Sequence, residues 1–293
     1  MTRARANLLL LIAAMIWGTT FVVQKTAPLG PLTFTGIRFL LGALAILPLA
    51  LIEARRAPNP LSRAHLGGFA LCGAVLFLAA IIQQLGINQT SVTNSGFLTG
   101  LYLPMVPLLG LMLLKRPPHW SVWPASAGCV AGIWLLNGAS LDRLGQGDAL
   151  VLLAALFWAL HIVLLGRFTP TSGRPLALAT TQFVICGAIA LAAALALEPI
   201  TLAALQAARF EIAWASLLSV GGAYSLQVVA QRHTHPADAA IILSTATVFA
   251  ALAGAAALGE RIGPMGVAGG ALVFLCLVLV EVLPAKADRV TLS

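Results

Sequence analysis

The feature that most constrains this chain is a succession of apolar stretches, each long enough to cross a bilayer. A spanning helix needs about 20 predominantly apolar residues, and the sequence offers ten such stretches: 7–27, 33–53, 65–86, 93–114, 119–137, 148–167, 175–197, 211–231, 237–258 and 263–283. Hydrophobic residues make up 60% of the 293 and charged residues 9%, against about 25% in soluble domains. Mean hydropathy is +0.97. The chain therefore reads as an all-α integral membrane protein of ten transmembrane helices, with the lipid bilayer as its first partner. The opening stretch is too long, and too quickly followed by Gln24 and Lys25, for a cleavable signal peptide.

The net charge of +8 is scattered through short loops rather than gathered on one face, which argues against nucleic acid. It reports orientation instead. With the amino terminus inside, Arg3, Arg5, Arg55, Arg56, Arg63, Lys115, Arg116, Arg167, Arg174, Arg232, Lys286 and Arg289 share one side, and Lys25, Arg143, Arg209 and Arg261 the other. That bias predicts both termini in the cytoplasm. Cys72, Cys129, Cys186 and Cys276 lie far apart in apolar runs, with no metal or disulfide spacing; no metal or other cofactor is expected.

The chain also repeats itself. Offset by 144 residues, Arg38-Phe39 falls on Gln182-Phe183, Gln83 on Gln227, and Thr90 to Asn94 on Thr234 to Asp238. Near the start of each half the offset is 141, matching Trp17 with Trp158 and Thr20 with His161. Units of five helices, 1–140 and 145–293, must face opposite ways, since five is odd. Inverted repeats of this kind hold a substrate near the midplane between them. Two repeats complete such a cleft, so a monomer suffices.

Trp17-Gly18-Thr19-Thr20-Phe21 with Lys25, Pro31 with Arg38-Phe39, and Leu258-Gly259-Glu260 resemble the signature of the EamA family within the drug/metabolite transporter superfamily. The second half departs from it at Ala159 and Gly166, and the first half has Leu114-Lys115-Arg116 where Leu-Gly-Glu belongs. The resemblance implies a transporter exporting small metabolites, often amino acids, through the inner membrane of a bacterium.

Polar residues inside the spans carry whatever chemistry there is, because unpaired polar groups in hydrocarbon are costly. Trp17, Thr20, Phe21 and Gln24 share one helical face. Trp17, Thr20 and Phe21, with Tyr102, Trp158, His161, Tyr224, Ser244 and Thr247, predict an aromatic pocket for a small zwitterion, whose ammonium the rings can hold. His161 reads either as a proton carrier or as a neutral lining residue. Gln83 and Gln227 read as hydrogen-bonding groups at opposite mouths, or as interhelical glue. Arg38, the one full charge within a span, either snorkels outward, or anchors a substrate carboxylate or closes an outer gate. Pro104 and Pro107 mark a gating bend in the fourth helix; Val248 and Ala251 replace them in the ninth, so the two helices should not bend alike. With no Asp or Glu at mid-depth, facilitated or weakly proton-coupled alternating access is expected, and a dedicated exporter of lipophilic cations is disfavoured. No catalytic arrangement is evident; an intramembrane enzyme using His161 and Ser244 is the alternative from another class.

Overall fold

In the computed structural model, residues 1–57, 60–115, 117–136 and 145–290 are described, without the side chains of 277 and 280–290. Most of the expected loop between Gly138 and Gly147, together with Arg116, Arg143 and the side chains of Lys286 and Arg289, lies outside the described residues. Those residues contain helices and no strand. Eight helices have the length and hydropathy of a membrane span: α1 (Arg3–Thr26), α2 (Pro31–Arg56), α3 (Arg63–Ile87), α4 (Val92–Leu114), α6 (Gln146–Ser172), α7 (Pro175–Leu197), α8 (Arg209–Ala230) and α9 (Pro236–Leu258). Two more are shorter in their apolar part, α5 (Val122–Leu136) and α10 (Pro264–Val290).

The packing follows a two-fold exchange of the halves. Helix α2 lies along α7 and α5 along α10; α3 packs on α6 as α1 packs on α8; α4 meets α6 as α1 meets α9. The α2–α7 pair is the axis of this arrangement. The Glu198 carboxylate, at the end of α7, accepts the Leu32 and Thr33 amides at the start of α2, at 2.9 and 2.8 Å, and the Thr33 hydroxyl at 2.7 Å. Glu53, near the end of α2, accepts the Leu176 and Ala177 amides at the start of α7, at 3.0 and 2.9 Å. Each carboxylate takes orphan N–H groups at the positive end of its partner's dipole. Reciprocity of this kind is possible only if the two helices run antiparallel. Gly36 lets them close up: a Cβ there would sit 2.8 Å from the Leu191 nitrogen.

The departure at Leu114-Lys115-Arg116 has a structural counterpart. Glu260 follows α9 and accepts the Val92 and Thr93 amides that open α4, at 3.2 and 3.1 Å. At the equivalent end of α4, Lys115 corresponds to Gly259, and Arg116, which corresponds to Glu260, lies outside the described residues. The start of α9 is satisfied locally, by Pro236 at its first position and by His235 Nδ1, which accepts the Ala237 amide at 3.3 Å. Lys115 nevertheless keeps the left-handed backbone of the motif, φ 53°, where Gly259 has φ 70°.

The expectation that α4 and α9 bend differently is corrected. Both are interrupted, at Leu101 and at Thr245, positions that correspond in the repeat. In α4, Pro104 has no N–H to continue the ladder. In α9 three hydroxyls bond carbonyls three residues back: Ser244 to Ile241 at 2.7 Å, Thr245 to Ile242 at 2.7 Å and Thr247 to Ser244 at 2.8 Å. Helix α8 also departs from regularity, running as a π-helix over Trp214–Tyr224.

Two substitutions should move stability in opposite directions. Glu198→Ala, which orphans two amides, should cost about 1–2 kcal/mol; Lys115→Gly, which relieves a left-handed residue, should stabilise by about 1 kcal/mol. Thermal unfolding of the detergent-purified protein reads both.

Candidate functional site

The interruptions of α4 and α9 lie beside a cavity of ≈ 70 Å³, lined by residues from both halves. Helix α1 contributes Trp17, Thr20, Phe21 and Gln24, the face anticipated from their spacing. Arg38 enters from α2, Gln83 from α3, Thr99 and Tyr102 from α4, Trp158 from α6, Ser219, Tyr224 and Gln227 from α8, and Thr247 from α9.

Tyr224 organises the aromatic wall. Its ring centroid lies 4.6 Å from that of Trp17 and 6.1 Å from that of Trp158, at an interplanar angle of 24° to the latter. Phe39 and Phe183, corresponding residues of α2 and α7, flank the same ring at 5.7 and 5.8 Å. Thus one tyrosine ties aromatic residues of both halves. Trp17 Nε1 and Trp158 Nε1 are buried without a hydrogen-bond acceptor among the described residues.

The polar lining is mostly committed to the protein. The Gln83 amide donates to Thr99 Oγ1 at 2.8 Å, the Tyr102 hydroxyl to the Ala240 carbonyl at 3.3 Å, and Thr20 and Thr247 to carbonyls of their own helices. Gln83 and Gln227 line the same cavity rather than standing apart at two mouths.

Arg38 does not snorkel: it is 3% exposed. Its guanidinium sits 5.2 Å from the centroids of both Phe34 and Phe39. With the Gln24 amide turned so that both groups are satisfied, Gln24 Oε1 accepts from Nη1 and, at 3.2 Å, from Nη2. Arg38 Nε has no partner among the described residues.

His161 and Ser244 lie off the cavity wall. His161 is fully buried behind Trp158 and Tyr224, its Nε2 2.8 Å from Gln182 Oε1. Ser244 spends its hydroxyl on the Ile241 carbonyl, so the base and nucleophile of the enzyme alternative are each engaged elsewhere. Pro104 and Pro107 also stand outside the lining. Two polar lining residues that sequence reasoning passed over are Thr99 and Ser219. Thr99 shares a helix face with Tyr102, three residues on, a signal that was available; Ser219 lies in the π-helical stretch, where helical spacing misplaces it.

The ends of the bundle on either side of the cavity are held by related clusters. At one end Asp148 accepts from Thr90 Oγ1 at 2.6 Å and from Asn94 Nδ2, while Lys25 Nζ donates to the Ile87 and Asn88 carbonyls at 3.1 Å each. At the other, Thr234 Oγ1 donates to Asn7 Oδ1 at 3.3 Å and Arg3 pairs with Asp238 at 3.2 Å. The acid and the amide have traded places, since Asn7 corresponds to Asp148 and Asn94 to Asp238.

A bundle of apolar helices with two-fold packing, built around a polar and aromatic cavity lined by both halves, has the architecture of a membrane transporter. Comparison with known proteins agrees. The model of the EamA-like transporter family matches residues 4–138 and again 145–282, and the chain belongs to that family. It is 29% identical to an uncharacterized transporter of Archaeoglobus fulgidus over 95% of this chain and 86% of the relative. It is 30% identical to the uncharacterized transporter YwfM of Bacillus subtilis over 96% and 95%. A solved structure described only as the crystal structure of a protein superposes with a TM-score of 0.76, covering 98% of this chain and 99% of its own, at 17% identity. That likeness concerns the fold.

Tyr224→Ala should therefore cost about 3–5 kcal/mol, as for other large aromatic truncations in packed interiors, while Tyr224→Phe should retain most of the stability. Unfolding midpoints in detergent distinguish the two.

Proposed function

We propose that this transporter exports small amphipathic metabolites, amino acids first among them, across a bacterial inner membrane by alternating access. The observation that carries the reading is the aromatic cavity built jointly by the two halves around Trp17, Trp158 and Tyr224. Rings on several sides suit an apolar side chain, and a site shared between halves changes shape when they move against each other. The repeats 1–140 and 145–293 are the moving bodies, with both termini in the cytoplasm in keeping with the twelve-to-four bias of basic residues. Substrate binds to Trp17, Thr20, Phe21, Gln83, Tyr102, Trp158, Tyr224, Gln227 and Thr247, with His161 and Ser244 supporting the wall from behind. Arg38, Pro104 and Pro107 belong to the gating apparatus. One chain supplies the whole cavity, so a monomer is sufficient.

Transport is facilitative in this reading. Among the described residues the cavity wall carries no Asp or Glu to relay protons or hold a sodium ion.

Uptake of labelled amino acids into proteoliposomes tests the proposal. Flux without an imposed gradient is expected, falling about tenfold in Trp17→Ala or Trp158→Ala, the equivalent of ~1.4 kcal/mol. Flux only under a proton gradient, lost in His161→Ala, would replace facilitation with proton coupling; no amino-acid flux would sink the substrate class.

A further inference from the structure

Among the described residues, Arg38 is the only formally charged one lining the cavity, and no carboxylate pairs with it. Among the described residues its oxygen partner is the neutral amide of Gln24, and its Nε is unpartnered. A buried guanidinium is strongly unfavourable unless paired, and its fork matches a carboxylate in a bidentate way that a single amide oxygen cannot. Other unpartnered donors line the same space, the indole N–H groups of Trp17 and Trp158. Against them stands one unpartnered acceptor of the lining, Gln227 Oε1, which can take an N–H but cannot offset a charge.

The repeat sharpens the point. The residue corresponding to Arg38 is Gln182, an uncharged side chain whose Oε1 lies 2.8 Å from His161 Nε2 on the far side of the aromatic wall. Two-fold packing therefore does not require a cation at this position. Arg38 makes the cavity positive on one side only.

We propose that Arg38 and Gln24 form a carboxylate-binding subsite in which an entering carboxylate displaces the Gln24 amide from the guanidinium fork. Charge balance then sets which end of the substrate is fixed: its carboxylate neutralises the guanidinium, and an amino group, where present, is left to the aromatic rings. The carboxylate is obligatory and the amino group is dispensable. The inference deepens the amino-acid reading of the same cavity and rests on it.

The test is ligand binding to the detergent-purified full chain, followed by intrinsic tryptophan fluorescence, with three probes that share one ring. They are phenylalanine, 3-phenylpropanoate (carboxylate without amine) and phenylalaninamide (amine without carboxylate). The expected order places 3-phenylpropanoate at least level with phenylalanine and phenylalaninamide about tenfold weaker or worse. Arg38→Gln should abolish the preference of the site for a carboxylate. Gln24→Ala, which leaves the buried cation in place, should tighten 3-phenylpropanoate binding, and this variant keeps the question answerable if Arg38→Gln does not fold. Equal binding of phenylalaninamide, weaker 3-phenylpropanoate binding by Gln24→Ala, or no binding by any probe overturns the subsite. Proteoliposome flux separates this inference from the broader one. Carriage of phenylalaninamide at the rate of phenylalanine refutes the carboxylate requirement and leaves a transporter. Carboxylate-selective binding without any flux supports the subsite and refutes amino-acid transport.

Discussion

Helices α2, α4 and α7 begin with backbone N–H groups that no residue of the same helix can accept, and carboxylates from the opposite half of the chain accept them. Glu198 serves α2, Glu53 serves α7 and Glu260 serves α4. Because Glu53 and Glu198 act reciprocally, the antiparallel register of α2 and α7 is tied at both ends. Everything between inherits that register. It brings Phe39 and Phe183 to the same tyrosine and sets Arg38 against the end of α1. Rim electrostatics and midplane chemistry are thus parts of one device.

Around this frame the backbone is more symmetric than the side chains. Helices α4 and α9 break at corresponding positions, one through a proline and the other through hydroxyls bonded to carbonyls. Asp148 with Asn94 at one end is answered by Asn7 with Asp238 at the other. Arg38 is answered by Gln182. A transporter that opens alternately to two sides needs two halves of like architecture, whereas recognition of a small molecule needs a site with a direction. In the alternating-access reading proposed above, packing would supply the first and a few polar substitutions the second.

Much of this was legible in the residues. The Trp17, Thr20, Phe21 and Gln24 face is a matter of helical geometry, which holds wherever the helix is regular. The match of Trp158 to Trp17 and of Gln227 to Gln83 located the partner wall. Reading failed where an outcome depends on competition between neighbours. Ser244 looked available until its own helix claimed the hydroxyl, and His161 looked like lining until Trp158 and Tyr224 covered it. Pro104 suggested a bend unique to α4 because hydroxyls that interrupt a helix carry no signal as plain as a missing N–H. Ser219 was misplaced by the π-helical stretch, whose wider turn breaks the spacing that sequence arguments assume.

The sequence by itself determined the membrane setting, the succession of apolar helices, the repeat and the bias of positive charge. These follow from composition, length and period, properties that each segment possesses alone. Only the tertiary structure decided which polar groups are spent on one another and which are left over: Gln83 on Thr99, His161 on Gln182, Glu198 on α2, and the guanidinium of Arg38 on nothing charged among the described residues. The reason is that hydropathy is additive along a chain, while hydrogen-bond and ion pairing depends on distances between residues far apart in it. A cavity is what those pairings leave behind.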